Sequence, residues 1–179
     1  FESINGNVMY KTMMTEGRTQ TEPLSLYSPI NKNEPWKYTN NPFGNWKEYS
    51  FDDSTWTDYM AGGEAVVGQG VQYFRRQFTG IDNMATFELQ LNYRFGVVAY
   101  INGAEVYRDN MSDGEPTSST VATGSHSSYD YHGIIRSANE VTVSSILAVE
   151  VHPVDLSTSG QIQFDGFISL MAGLSSSNN

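Results

Sequence analysis

The sequence contains no cysteine. That excludes disulfide staples, thiolate metal sites and cysteine nucleophiles, so the fold must stand on its core alone. No apolar run approaches the ~18 residues of a membrane-spanning helix, and no long stretch carries the periodicity of an amphipathic helix. Charge is scarce, at 17% of residues, and positive charge scarcer still: 10 Lys and Arg against 20 Asp and Glu give a net charge of −10. Such a surface repels phosphate backbones and anionic lipid, which sets aside nucleic-acid partners and membrane insertion. It is compatible with divalent cations, calcium above all, which take carboxylate and carbonyl oxygens.

What the chain has instead is aromatic residues and turn formers. Eleven Tyr, nine Phe, three Trp and 16 Gly among many Ser, Thr and Asn point to an all-β protein. At 179 residues it is long enough for one domain with a real core. Residues 1–34 are punctuated by Pro23 and Pro29 and are expected to supply strands and loops that pack on the main body. Within them Val8–Met14 and Leu24–Tyr27 read as strands, with the polar run Thr15–Glu22 as a loop. Residues 35–172 are expected to form the main domain and 173–179 a linker or tail; the start at Phe1 reads as a module of a longer polypeptide.

The strongest local signal is Asn102-Gly103 between two β-rich runs, since both central residues of a type I′ turn need φ > 0. A two-residue loop pairs Ile101 with Ala104, Tyr100 with Glu105, Ala99 with Val106 and Val98 with Tyr107. Val97, Ala99, Ile101 and Val106 then face the core, and Val98, Tyr100, Glu105 and Tyr107 the other side. Ala85–Tyr93 alternates cleanly, with Phe87, Leu89, Leu91 and Tyr93 inward. In Gln72–Thr79 the adjacent Arg75 and Arg76 must point opposite ways, so one of them faces inward and needs a carboxylate such as Asp52, Asp53 or Glu150. Such an arginine is read either as a structural salt bridge or as a clamp for a substrate carboxylate. Glu140–Val151 and Ile162–Leu170 complete the strands. In the last, Asp165 and Phe167 point away from the core.

Several motifs carry chemistry. Trp36, Trp46 and Trp56 all lie within Pro35–Trp56, which reads either as a sugar-stacking platform or as core anchors under an irregular loop. Ala61–Gly70 is Gly-rich but lacks the G-x-G-x-x-G spacing of a nucleotide cradle. Asn110–Gly133 is a long polar loop that opens on a sequon, Asn110-Met111-Ser112, making Asn110 a candidate glycosylation site. The acids around it fail the EF-hand template, because Met111 stands where an oxygen ligand belongs. His126, Asp130 and His132 invite a triad or zinc reading, but G-x-S-x-G is absent and the histidine spacing suits no common metal site. No enzyme is expected.

In order along the chain, FDDSTW, YFRRQF, VVAYINGAEVY, LAVEVH and FDGFISL, spread over Trp36–Leu170, resemble the galactose-binding-domain-like jelly rolls of large secreted proteins. They are also similar to the sugar-binding jelly roll of family 2 β-galactosidases and glucuronidases. One departure is Arg94-Phe95-Gly96, where relatives often carry an acidic pair. The resemblance implies an antiparallel β-sandwich of eight or nine strands and an extracellular or cell-surface location. It also implies a structural calcium near the N-terminal segment and the last strand, with Asp165 carried over as the candidate ligand. Ligand loops in this class gather at one end, here Trp46–Tyr59 and Asn110–His132. Recognition of a neutral sugar needs an aromatic face with hydroxyl partners, which Trp46, Trp56, Tyr59, Tyr100, Glu105, Tyr107 and His152 can supply. The expected function is a non-catalytic carbohydrate-binding or adhesion module. The alternative is a structural module of a fibre, surface layer or multidomain enzyme, whose partner is a neighbouring protein module or a second copy in self-assembly.

Overall fold

A computed structural model describes residues 2–4, 8–15, 18–63, 68–81, 84–157 and 162–172, with side chains from Tyr27 onward. Twelve strands run through them: β1 (Glu2–Ile4), β2 (Val8–Thr15), β3 (Arg18–Ile30), β4 (Pro35–Thr39), β5 (Thr57–Met60), β6 (Gln72–Thr79), β7 (Met84–Tyr93), β8 (Gly96–Ile101), β9 (Ala104–Asp109), β10 (Asp130–Ser137), β11 (Ser144–His152) and β12 (Asp165–Ala172). One sheet has the order β1-β2-β3-β12-β7-β10 and the other β5-β4-β6-β11-β8-β9, every pairing antiparallel. No α-helix occurs among the described residues. The protein is an all-β antiparallel sandwich.

The strands exceed the eight or nine of the family pattern because polar stretches pair as strands. Asp130–Ser137 was expected within or just after the long loop, yet it lies in full register on β7 as the edge strand β10. Its mean position is half-exposed, so only every second side chain needs to be apolar. Arg18–Glu22, expected as loop, belongs to β3 and pairs with β2. Residues 64–67 of the Gly-rich loop Ala61–Gly70 and the tail 173–179 lie outside the described residues.

Between the sheets Phe87, Leu89, Leu91 and Tyr93 of β7 face Phe74, Leu147, Val149 and Ala99 of the second sheet, all fully buried. Phe164 sits at the centre, stacked on Phe74 at 4.3 Å between ring centroids and edge-on to Trp36 at 4.9 Å. Aromatic pairs of this kind contribute about 0.5–1.5 kcal/mol beyond their buried area.

The Asn102-Gly103 hairpin forms with φ of 50° and 84°. Asn102 does more than turn the chain: its side-chain amide accepts from Ile146 N at 3.0 Å and donates to Glu140 O at 2.9 Å, tying the hairpin to the start of β11. The expected register holds for Ile101–Ala104 and Tyr100–Glu105 and then slips, pairing Ala99 with Tyr107. A bulge at Val106 supplies the extra residue. Two successive side chains of β9 therefore turn to the core, and Tyr107 joins Val106 there instead of Tyr100 on the outer face.

Gly133 marks a close approach of β10 to β7: a Cβ there would lie 1.8 Å from the Leu89 carbonyl oxygen. Gly133→Ala is expected to cost about 1–3 kcal/mol through forced displacement of β10, read as a lower urea midpoint at unchanged slope.

Candidate functional site

The outer face of the second sheet carries a second, smaller cluster of buried side chains. Tyr73 of β6, Ala148 of β11, and Val98 and Tyr100 of β8 project from the strands, and Trp46 and Trp56 cover them from the loop between β4 and β5. That loop is shaped by Arg75. Its guanidinium is buried, donates to Asp53 Oδ2 at 2.8 Å, and also donates to the backbone carbonyls of Trp46, Glu48 and Phe51. The arginine expected to face inward is thus a structural pin on the outer face, with Asp53 as its carboxylate. Four of its five donors are taken by the protein.

Pinning the loop leaves a cleft beside it. One depression of about 250 Å³ is lined by Asn41, Pro42, Phe43, Trp46, Tyr73 and Glu150 on one side and by Glu115, Pro116 and Ser118 of the β9–β10 loop on the other. A second, of about 270 Å³, is lined by Asn45, Glu48, Gly103 and Glu115. The two share Gly44, Trp46, Lys47 and Glu115, and the ion pair of Lys47 with Glu115 bridges the two loops. The Lys47 ammonium also sits 4.0 Å above the Tyr100 ring, a cation–π contact.

The floor is polar. Glu150 Oε1 accepts from the Tyr100 hydroxyl at 2.6 Å, and Oε2 lies 3.1 Å from His152 Nε2. Burial, with the Glu150 hydrogen bond and charge, pushes the Tyr100 phenol far up, so it stays protonated and donates. Burial likewise raises the Tyr73 phenol, helped by the charge of Glu150. Tyr73 is only 3% exposed, and its hydroxyl makes no hydrogen bond among the described residues. It is a buried polar group lining a cleft and left open to a ligand.

The residues expected to bind a ligand separate. Trp46 and Trp56, 8% and 6% exposed, are packed in the outer cluster and offer no open stacking face. Their size makes them the anchors of the loop. Tyr59 lies in the main core, exchanging hydrogen bonds with Phe164 N and O at 3.2 and 3.1 Å. Tyr107 is on the core side, its hydroxyl 2.7 Å from that of Tyr93. His152 is fully buried between Glu150 and Thr120 O. Glu105 is exposed and paired with Arg108 at 2.8 Å; that hydrogen bond outweighs partial burial and holds its carboxyl below the usual range. Only Trp46 lines the cleft, with Tyr100 beneath it. The missed residues are Phe43, Lys47, Tyr73 and Glu115. Tyr73 was legible from strand alternation, which puts it on the face of Arg75. Phe43, 66% exposed at the rim, was signalled by an aromatic residue inside the Pro42–Gly44 turn.

Asp165, expected to face outward as a calcium ligand, is buried, because Asn33 N, Gly166 N and the Tyr131 hydroxyl all donate to its carboxylate. Among the described residues no three His, Asp or Glu side chains converge around a common point. Asn110 closes β9 with φ of 52° and donates through Nδ2 to Phe95 O at 3.3 Å. His126 and His132 do come together, rings stacked at 3.8 Å, but the carboxylate partner of His126 is Asp109 rather than Asp130, and His132 Nε2 is buried with no hydrogen-bond partner among the described residues. Among the described residues no serine hydroxyl hydrogen-bonds to either imidazole.

No protein-family model matches this sequence, and no curated protein does. Solved structures do. The chain is similar to a β-glucuronidase of Bacteroides uniformis, with TM-score 0.54, 18% identity and 82% of this chain aligned to 18% of that one. It is also similar to a glycosyl hydrolase family 2 member from Bacteroides cellulosilyticus, with TM-score 0.53 and 14% identity over 81% of this chain and 20% of the other. A β-glucuronidase of an uncultured Clostridium sp. gives TM-score 0.52 and 11% identity over 96% of this chain and 30% of that one. The chain thus spans less than a third of each. The resemblance read from the sequence, to a β-sandwich of family 2 glycosidases, holds at the level of the fold.

Two stability measurements follow from these networks. Asp53→Ala leaves the buried guanidinium uncompensated and is expected to cost about 3–5 kcal/mol, read by urea unfolding. Asp109 is pushed up by partial burial, but hydrogen bonds from Tyr93 and His126 and the charge of His126 leave it below its ordinary 3.8. A depressed folded-state value stabilises the fold above 3.8 and is lost as pH falls through the depressed value. The stability advantage of the wild type over Asp109→Asn is therefore expected to shrink on acidification from pH 6 to pH 3, read from denaturant midpoints.

Proposed function

We propose that this chain is a non-catalytic carbohydrate-binding module of an extracellular carbohydrate-active protein, and that the cleft over Tyr73 and Glu150 is its binding site. The observation that carries the reading is the Tyr73 hydroxyl, protonated and unpartnered among the described residues on a side chain otherwise buried, in a depression that also exposes an ammonium, a carboxylate and an aromatic ring. Sugar hydroxyls both donate and accept, and they suit a phenol flanked by Lys47 and Glu115. Phe43 offers an apolar face for the C–H side of a pyranose ring at the rim. The likeness to a domain-sized part of glycoside hydrolases supports the same reading, since the aligned portion covers 18–30% of those chains. At the cleft the Glu150 oxygens are engaged by Tyr100 and His152.

The test is a glycan array followed by titration of the best neutral ligand into the wild type and Tyr73→Phe. Loss of one hydrogen bond is expected to weaken binding about 3- to 10-fold, while thermal stability stays unchanged because the hydroxyl has no partner to lose. A flat array with concentration-dependent self-association in sedimentation would instead identify a structural assembly module.

A further inference from the structure

Resting on the carbohydrate reading, we propose that the cleft is built for two sugar rings, a neutral disaccharide unit seated astride the Lys47–Glu115 ion pair. The two depressions measure about 250 and 270 Å³. Each alone falls below the ~300 Å³ floor of ordinary small-molecule pockets, whereas the pair falls inside that range. They share Gly44, Trp46, Lys47 and Glu115, so the ion pair is a common wall and not the end of either space.

The two halves differ in chemistry. The first has aromatic rings, the free phenol of Tyr73 and two prolines, which suits a ring held by its apolar face and one or two hydroxyls. The second has Asn45, Glu48 and the bare backbone of Gly103, a polar wall without an aromatic ring. Gly103 keeps this half open to Glu48: a Cβ there would stand 2.3 Å from Glu48 Oε1. At the divide, the Lys47 side chain is 19% exposed and held over Tyr100, whereas Glu115 is 74% exposed. The lysine is the fixed member and the glutamate the one free to swing. A ligand crossing the divide displaces Glu115 from Lys47 and takes the ammonium as a donor to the oxygens near its glycosidic bond.

The charge of the site selects a neutral ligand. Glu48, Glu115 and Glu150 surround a single Lys47 on a chain of net charge −10. A uronate or sulfated sugar would meet more repulsion than attraction.

Isothermal titration with glucose, cellobiose and cellotriose, and with galactose, β-1,4-galactobiose and β-1,4-galactotriose, tests this on the wild type. In the series that binds, the disaccharide is expected to bind about tenfold or more tighter than the monosaccharide, as a second ring of contacts implies. The trisaccharide is expected to match the disaccharide within about twofold. Asn45→Trp, which fills the second depression, should collapse the disaccharide-to-monosaccharide ratio toward one, while Tyr73→Phe weakens both sugars and keeps the ratio. Equal affinity for one ring and two, or a steady rise through three, overturns the two-ring site while leaving carbohydrate binding intact. Binding of none of the six sugars by the folded wild type overturns both readings. Tighter binding of a uronate-ended disaccharide than of its neutral counterpart overturns the assignment of a neutral ligand.

Discussion

Everything on the outer face of the second sheet depends on one buried guanidinium. Arg75 has no exposed surface to speak of, and burying its charge is costly unless each donor is met. The chain meets four of the five by wrapping the loop between β4 and β5 around it: three backbone carbonyls and Asp53 Oδ2 all point at the same group. Phe51 and Trp56 lie over it at 5.0 and 6.0 Å. A loop with no regular hydrogen-bond ladder thereby acquires a fixed shape. The cleft exists because its inner wall, Pro42 to Glu48, is part of that shape.

The opposite wall is fixed by different means. Arg108 donates to Ser112 O at 2.6 Å and Gly114 O at 3.0 Å, holding the start of the β9–β10 loop. Farther along, Ala122 N donates to Pro153 O, Thr123 N to Asn110 O and His126 N to Arg94 O, so the loop is tied at intervals to the body. Between these ties Glu115 is the exposed residue that reaches across to Lys47. A rigid wall facing a tethered one with a single mobile carboxylate at the mouth is a geometry suited to small polar ligands that come and go.

How much of this was legible follows from what each signal depends on. Strand alternation in Ala85–Tyr93 and the Asn102-Gly103 turn are local properties, and both were read correctly. The opposed arginines were legible too, because adjacent residues in a strand cannot share a face. Tyr107 was misplaced because a bulge shifts every later position by one, and nothing in AEVYRD announces it. Asp165 looked outward by parity, yet Asn33 and Tyr131, 132 and 34 residues earlier in the chain, close over it. The tryptophans left two readings open, and only the packing of Trp46 against Tyr73 and Tyr100, at 5.1 and 5.9 Å, decides for anchors. The cleft was illegible as a whole: its residues come from five segments that no spacing rule links.

The buried floor of the cleft also settles where one proton lies. His152 Nδ1 is 2.7 Å from Thr120 O, and a carbonyl only accepts, so Nδ1 carries hydrogen. Its other nitrogen faces Glu150 Oε2 at 3.1 Å. The other Glu150 oxygen takes the Tyr100 hydrogen. Both carboxyl oxygens are then satisfied from within, and the floor presents no unmet acceptor to a ligand. The Tyr73 hydroxyl, which makes no hydrogen bond among the described residues, has its donor free for recognition at this site.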